Sequence, residues 1–190
     1  MTEPRRIHNL CLIGFMGSGK TTVGRMLALQ LHFEFVDTDE WLERRAGRSI
    51  TELFEKEGEE RFRVMERELV EEMDHWRRKV IATGGGLGAS EANLASLKTH
   101  SLVVCLWAPA ELIWQRVRKQ SHRPLLHDPD PLARIRSLLE TRRPVYSQAD
   151  VLINSGSRSV REVAAQVFHQ FQSARPRHEP GENQDPTASH

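Results

Sequence analysis

Residues 14–22 read GFMGSGKTT, and Gly14, Gly19, Lys20 and Thr21 fill the spacing Gly-x-x-x-x-Gly-Lys-Ser/Thr. Each residue type has a physical task. Glycines let the backbone curl until its N–H groups converge on anionic oxygens. A helix starting at this point adds its positive dipole end to the same place. Gly17, Ser18, Gly19, Lys20, Thr21 and Thr22 would line the phosphates, Lys20 as a point charge and the Thr21 hydroxyl as a Mg²⁺ ligand. The flanks agree: the apolar run Leu10–Ile13 precedes the loop, and Val23, Met26, Leu27 and Leu31 follow at helical spacing. This pattern predicts binding of a nucleoside triphosphate.

A second group, Asp37-Thr38-Asp39, follows Val36 at the C-terminal end of a predicted strand, the edge where open α/β sheets hold ligands. One carboxylate there suits a magnesium shell, and the other suits a substrate hydroxyl. A turn or a helix cap would use the same residue types. Thr83-Gly84-Gly85-Gly86 follows the next strand, and three glycines imply either close approach of the backbone to another group or a flexible turn. Arg63 and Glu66, three apart beside the stripe Phe62, Met65, Leu69 and Met73, share a helical face. Spacing alone gives them no more than a solvated ion pair. Arg116, Arg118, Lys119 and Arg123 border or enter the proline-rich stretch 119–131. A cation closing over a γ-phosphate suits such a loop, as does simple solvation. Arg142 stands two residues before Pro144, where the helix is expected to end, and there it would complement the helix dipole.

The elements needed to position these groups are legible. Five strand candidates, Leu10–Ile13, Glu34–Val36, Lys79–Ala82, Leu102–Trp107 and Val151–Ile153, alternate with helical stretches and predict a parallel sheet. A helical insert over about Glu40–Trp76 opens on a capping box, Ser49 with Glu52, and Gly58 is expected to divide it into two helices. One domain over residues 1–173 is expected, with a disordered polar tail at 174–190, where apolar residues almost vanish.

The 190 residues carry 27 basic and 26 acidic side chains, a net charge of +1. That balance argues against a nucleic-acid or membrane partner. Cys11 and Cys105 lie in apolar runs and are expected to be buried reduced thiols. The short apolar run before the loop leads to no cleavage site, so a cytoplasmic setting is expected.

In this order and spacing, GFMGSGKTTVGRMLA, DTD, ERFRVMERE, ATGGG, RPLL and RRPVY closely resemble the shikimate kinase family over about Leu10–Ile153. The loop is widely shared, whereas DTD with FRxxE and GGG is far more specific. The resemblance implies a three-layer α/β fold of the nucleoside-monophosphate-kinase-like, P-loop kinase type. Its parts are a five-stranded parallel sheet, helices on both faces, a helical substrate-binding insert and a lid near 119–131. It implies ATP-dependent phosphorylation of the shikimate 3-hydroxyl, a step of chorismate and aromatic amino-acid biosynthesis, with Mg²⁺ as cofactor and a monomer as the working unit. By matching positions it places Asp39, Arg63, Glu66, Gly84, Gly85, Gly86 and Arg142 at the acceptor. Lys20, Asp39 and Arg123 become the catalytic groups, Thr21 and Asp37 serve the metal, and Arg116 and Arg158 lie near adenine. A kinase of another polyol acid such as gluconate would share the loop without needing both DTD and FRxxE. A GTPase-type switch would need an Asn-Lys-x-Asp segment, and the chain has none.

Overall fold

The structure, a computed structural model, describes residues 5–119 and 128–175. Arg123, most of the expected lid and the tail from residue 176 lie outside the described residues.

Strands β1 (Asn9–Ile13), β2 (Glu34–Asp37), β3 (Lys79–Ala82), β4 (Ser101–Trp107) and β5 (Val151–Asn154) form one parallel sheet in the order β2-β3-β1-β4-β5. All five expected strands are present, most longer by one residue. Their continuous apolar runs follow from burial on both faces. Alternate residues point to opposite sides. Leu10 and Leu12 pack with Val23 and Leu27 of α1 (Lys20–Leu31) and Val163, Val167 and Phe171 of α7 (Val160–Ala174). Cys11 and Ile13 face the other layer. That layer comprises α2 (Thr38–Ala46), α3 (Ile50–Glu72), α4 (Glu91–His100), α5 (Ala110–Val117) and α6 (Pro131–Tyr146), through residues such as Leu42, Leu69, Leu97, Ile113 and Ile135. The result is the expected three-layer arrangement.

The insert is built as its sequence suggests. Ser49 caps α3, accepting from Glu52 N at 3.2 Å while Glu52 Oε2 accepts from Ser49 N at 3.0 Å. Gly58, at φ 80° and ψ 168°, breaks the helical path inside α3 and separates two helical arms. The expectation at Pro144 is overturned, because α6 runs through it to Tyr146. A proline so near a helix end removes one N–H, that owed to the Glu140 carbonyl, and Glu140 is exposed to water. At the other end of the described chain, α7 includes Ala174, and the Arg175 guanidinium lies 5.5 Å from the Phe171 ring centroid. Both thiols are buried and unpaired; burial pushes Cys105 up to about 12 and Cys11 higher still. No helix among the described residues is long and apolar enough to cross a membrane.

At the amino edge of the sheet, His100 is buried between Asn9 and Ser101, its Nδ1 lying 3.3 Å from Asn9 Nδ2 and 2.9 Å from Ser101 Oγ. The Asn9 amide can only donate there, so Nδ1 accepts and Nε2 carries the hydrogen, with no partner among the described residues. Burial lowers the His100 pKa, and the charges of Arg77, His8 and Arg5 push the same way against Asp74. The unfolded chain therefore takes up this proton first, near pH 6.5. Stability is expected to fall as pH drops below that value, and the fall levels off once the folded form is protonated too. Thermal unfolding at pH 7.5 and 5.5 should show a smaller drop for His100→Gln than for wild type. Equal drops would contradict this assignment.

Candidate active site

The carboxyl ends of the strands converge on a cavity of about 420 Å³. The loop after β1 supplies Gly17 to Thr22, and β2 ends in Asp37 with Asp39 just beyond. Thr83, Gly84 and Gly85 follow β3, while Ser155 and Arg158 follow β5 and Arg116 enters from α5. Ligand placement at the carboxyl edge is the rule for such sheets, since the loops there are free to diverge from the scaffold.

Lys20 opens α1 and is nine-tenths buried, with its Nζ donating to the carbonyls of Gly14 (2.9 Å) and Phe15 (3.0 Å). The ammonium is thus parked inside its own loop, within reach of an anion held there. Thr21 Oγ1 donates to Asp37 Oδ2 at 3.0 Å, joining the loop to the end of β2. Asp37 is also the N-cap of α2, its Oδ1 accepting from Asp39 N at 3.1 Å. The capping reading of this aspartate is therefore correct, and the same side chain is tied to the phosphate loop through Thr21. Asp37 closes β2, whereas Thr38 and Asp39 already form the first turn of α2.

Three consecutive glycines each face one candidate acceptor group. A Cβ on Gly84 would collide with the Asp39 carboxylate, and one on Gly86 with the Arg63 guanidinium. The Gly85 carbonyl accepts from Arg142 Nη1 at 2.8 Å. Close approach, not flexibility, explains this segment. Thr38, which sequence reasoning passed over, fixes it from below: its buried Oγ1 accepts from Gly84 N at 2.7 Å. The only signal for Thr38 was its place between the two aspartates.

Arg63 and Glu66 are not a solvated pair. Glu66 is 2% exposed and accepts from Arg63 Nη1 at 2.7 Å, while Arg63 Nη2 reaches Glu59, also at 2.7 Å. Burial raises the Glu66 pKa; Arg63 and the backbone N–H of Leu87 oppose the rise. This pairing fixes one edge of the guanidinium. Arg142 does not serve the helix dipole but turns inward to Gly85 and stacks on Phe15, with Cζ 5.2 Å from the ring centroid. Arg116 donates to Gly17 O at 3.0 Å and to Ser155 O at 2.9 Å, so it spans the rim of the cavity instead of joining a lid. Arg158 lines the same rim and donates to Gln166 Oε1 at 2.7 Å.

The sheet order, the loop with its buried lysine and the cavity at the carboxyl edge define a P-loop kinase. The family model for shikimate kinase matches residues 16–172. A shikimate kinase of Caldanaerobacter subterraneus subsp. tengcongensis is 44% identical over 163 residues, covering 86% of this chain and 95% of that protein. The chain belongs to the shikimate kinase family. The structure of the Acinetobacter baumannii shikimate kinase in complex with shikimate superposes with a TM-score of 0.82 at 39% identity, over 89% of this chain and 95% of the other. A gluconokinase from Sinorhizobium meliloti reaches a TM-score of 0.55 at 16% identity, over 89% and 94% of the two chains, a likeness of fold alone.

Proposed function

We infer that the protein transfers the γ-phosphate of ATP to the 3-hydroxyl of shikimate, giving shikimate 3-phosphate and ADP. One observation carries the reading: the three-glycine loop gathers Asp39, Arg63 and Arg142 beside the cavity that holds Lys20. Shikimate is a small carboxylate with three hydroxyls. Two arginines fit the carboxylate, and Asp39 fits a ring hydroxyl.

In this mechanism Asp39 accepts a hydrogen bond from the 3-hydroxyl and aims its oxygen at the γ-phosphorus. As that O–P bond forms, the bond to the β,γ-bridging oxygen breaks, ADP leaves, and the hydroxyl proton passes to Asp39. A loose transition state makes orientation weigh more than basicity. Lys20 exchanges its two loop carbonyls for phosphate oxygens and stabilises charge on the transferring group. Arg123, which lies outside the described residues, takes the closing cation's role through the family resemblance. The Thr21 hydroxyl and the Asp37 carboxylate, 3.0 Å apart, are the hard oxygen donors that Mg²⁺ would take. These two residues would hold Mg²⁺, which when bound screens the phosphate charge. Arg116 and Arg158 line the rim where the nucleoside would lie. The described groups of the site come from one chain, which fits a monomer. The two unpaired thiols fit a reducing cytoplasm.

Replacing Arg142 by Ala removes charge-assisted hydrogen bonds worth about 1.5–3 kcal/mol, roughly a ten- to hundredfold loss of kcat/KM for shikimate. Arg63→Ala should cost at least as much, and it also strands the Glu66 carboxylate in a buried position. That makes Arg142→Ala the cleaner variant. The KM for ATP should change far less in both. An acceptor whose carboxylate is replaced by a neutral amide should be a poor substrate for wild type and less discriminated against by either variant. An amide penalty undiminished in both variants would remove these arginines from the carboxylate.

A further inference from the structure

Phe15 belongs to the phosphate loop by position, yet its side chain does not face the phosphates. Its backbone carbonyl accepts from Lys20 Nζ at 3.0 Å. Its ring, 2% exposed, sits in the apolar cluster beneath the insert together with Ile13, Leu69 and Leu87. On that side the Arg142 guanidinium lies over the ring, 5.2 Å from its centroid, and Nη1 is tied to Gly85 O at 2.8 Å. The ring and the carbonyl thus flank the guanidinium, and the Tyr146 side chain also interacts with it. The ring's negative face attracts a cation, and burial removes the water that would weaken that attraction. Arginine has five donors, and the Gly85 carbonyl occupies only one of them.

We propose that Phe15 is a positioning residue for the acceptor: its ring holds Arg142 in the orientation that grips the acceptor carboxylate. The proposal rests on the reading of Arg142 given above. Its consequence runs against the location of the residue. A change at position 15 of the phosphate loop alters affinity for the acceptor and leaves affinity for the nucleotide nearly unchanged, because the nucleotide meets the backbone of this loop and not the Phe15 ring. Leucine keeps apolar volume at the site but has no π-face, whereas tyrosine keeps the face.

The test is steady-state kinetics on the full chain with Phe15→Leu, Phe15→Tyr, Arg142→Ala and the Phe15→Leu/Arg142→Ala pair, with folding checked by thermal unfolding. Phe15→Leu should raise the KM for shikimate about three- to thirtyfold and the KM for ATP less than about twofold. Phe15→Tyr should restore most of the loss. In the Arg142→Ala background, Phe15→Leu should add almost nothing, since both changes remove one shared interaction. Phe15→Met makes the same comparison should Phe15→Leu fail to fold. An unchanged shikimate KM in the folded position-15 variant overturns the proposal, as does an equal rise for ATP or a full additional effect without Arg142. If Arg142→Ala itself leaves the shikimate KM unchanged, the acceptor reading fails first and the proposal falls with it.

Discussion

Lys20→Met is expected to lower turnover about 10²–10³-fold, the usual cost of removing one preorganised charge from a transition state, while the protein stays folded. The buried position of Lys20 makes both halves of this expectation specific. Methionine matches the length of the lysine stem and carries no charge. The fold loses two hydrogen bonds, to the carbonyls of Gly14 and Phe15, but no longer buries an ammonium. The net change in melting temperature should therefore be small. The reaction loses the lysine that lines the cavity, just where charge moves from the γ-phosphate to ADP. A folded Lys20→Met protein with near-normal turnover would mean that the loop does not hold the transferring phosphate.

The second large effect comes from the addition of a single methyl group. Gly84→Ala places a Cβ against Asp39 Oδ1, the mobile end of a short side chain. The carboxylate can swing aside, so the fold survives, but it can no longer point where the acceptor hydroxyl must be aimed. Displacing a positioning group by about 1 Å costs on the order of 10²-fold in rate, and kcat should fall by about that factor with little change in melting temperature. Asp39→Ala in the same background should add little, because the carboxylate is already misplaced. Steady-state kinetics of Gly84→Ala, Asp39→Ala and the double variant would check this, and a Gly84→Ala enzyme with wild-type kcat would show that the Asp39 position is irrelevant to the transfer.

The nucleotide half of the proposed site is legible because its chemistry is local. Nine adjacent residues, 14–22, carry the loop motif, and an apolar strand and an amphipathic helix on either side announce its setting. The acceptor half was not legible from residue pattern, because it is assembled from four distant segments. The spacing of Arg63 and Glu66 shows that they share a helical face. It cannot show that the Leu87 segment covers that face and turns an ordinary surface pair into a buried carboxylate clamped to an arginine. The glycines announce close approach, but their partners, Asp39, Arg142 and Arg63, become visible only once β3 is seated between β1 and β2. Pro144 misled because a proline reads as a stop, whereas so near the helix end it deprives only one exposed carbonyl. Arg142 was assigned to the helix dipole for the same reason, since nothing nearby in the chain announces Phe15 and Gly85 as its partners. The family resemblance supplied what local pattern lacked, and the clearances around the glycines give it a physical basis.

The most direct test of the account is ADP release by the purified protein with ATP and Mg²⁺, measured side by side with shikimate, gluconate and no acceptor. Rapid release is expected with shikimate only, with near-background release in the other two arms and a product phosphorylated at the 3-hydroxyl. Equal release with and without shikimate, or faster release with gluconate, would contradict it.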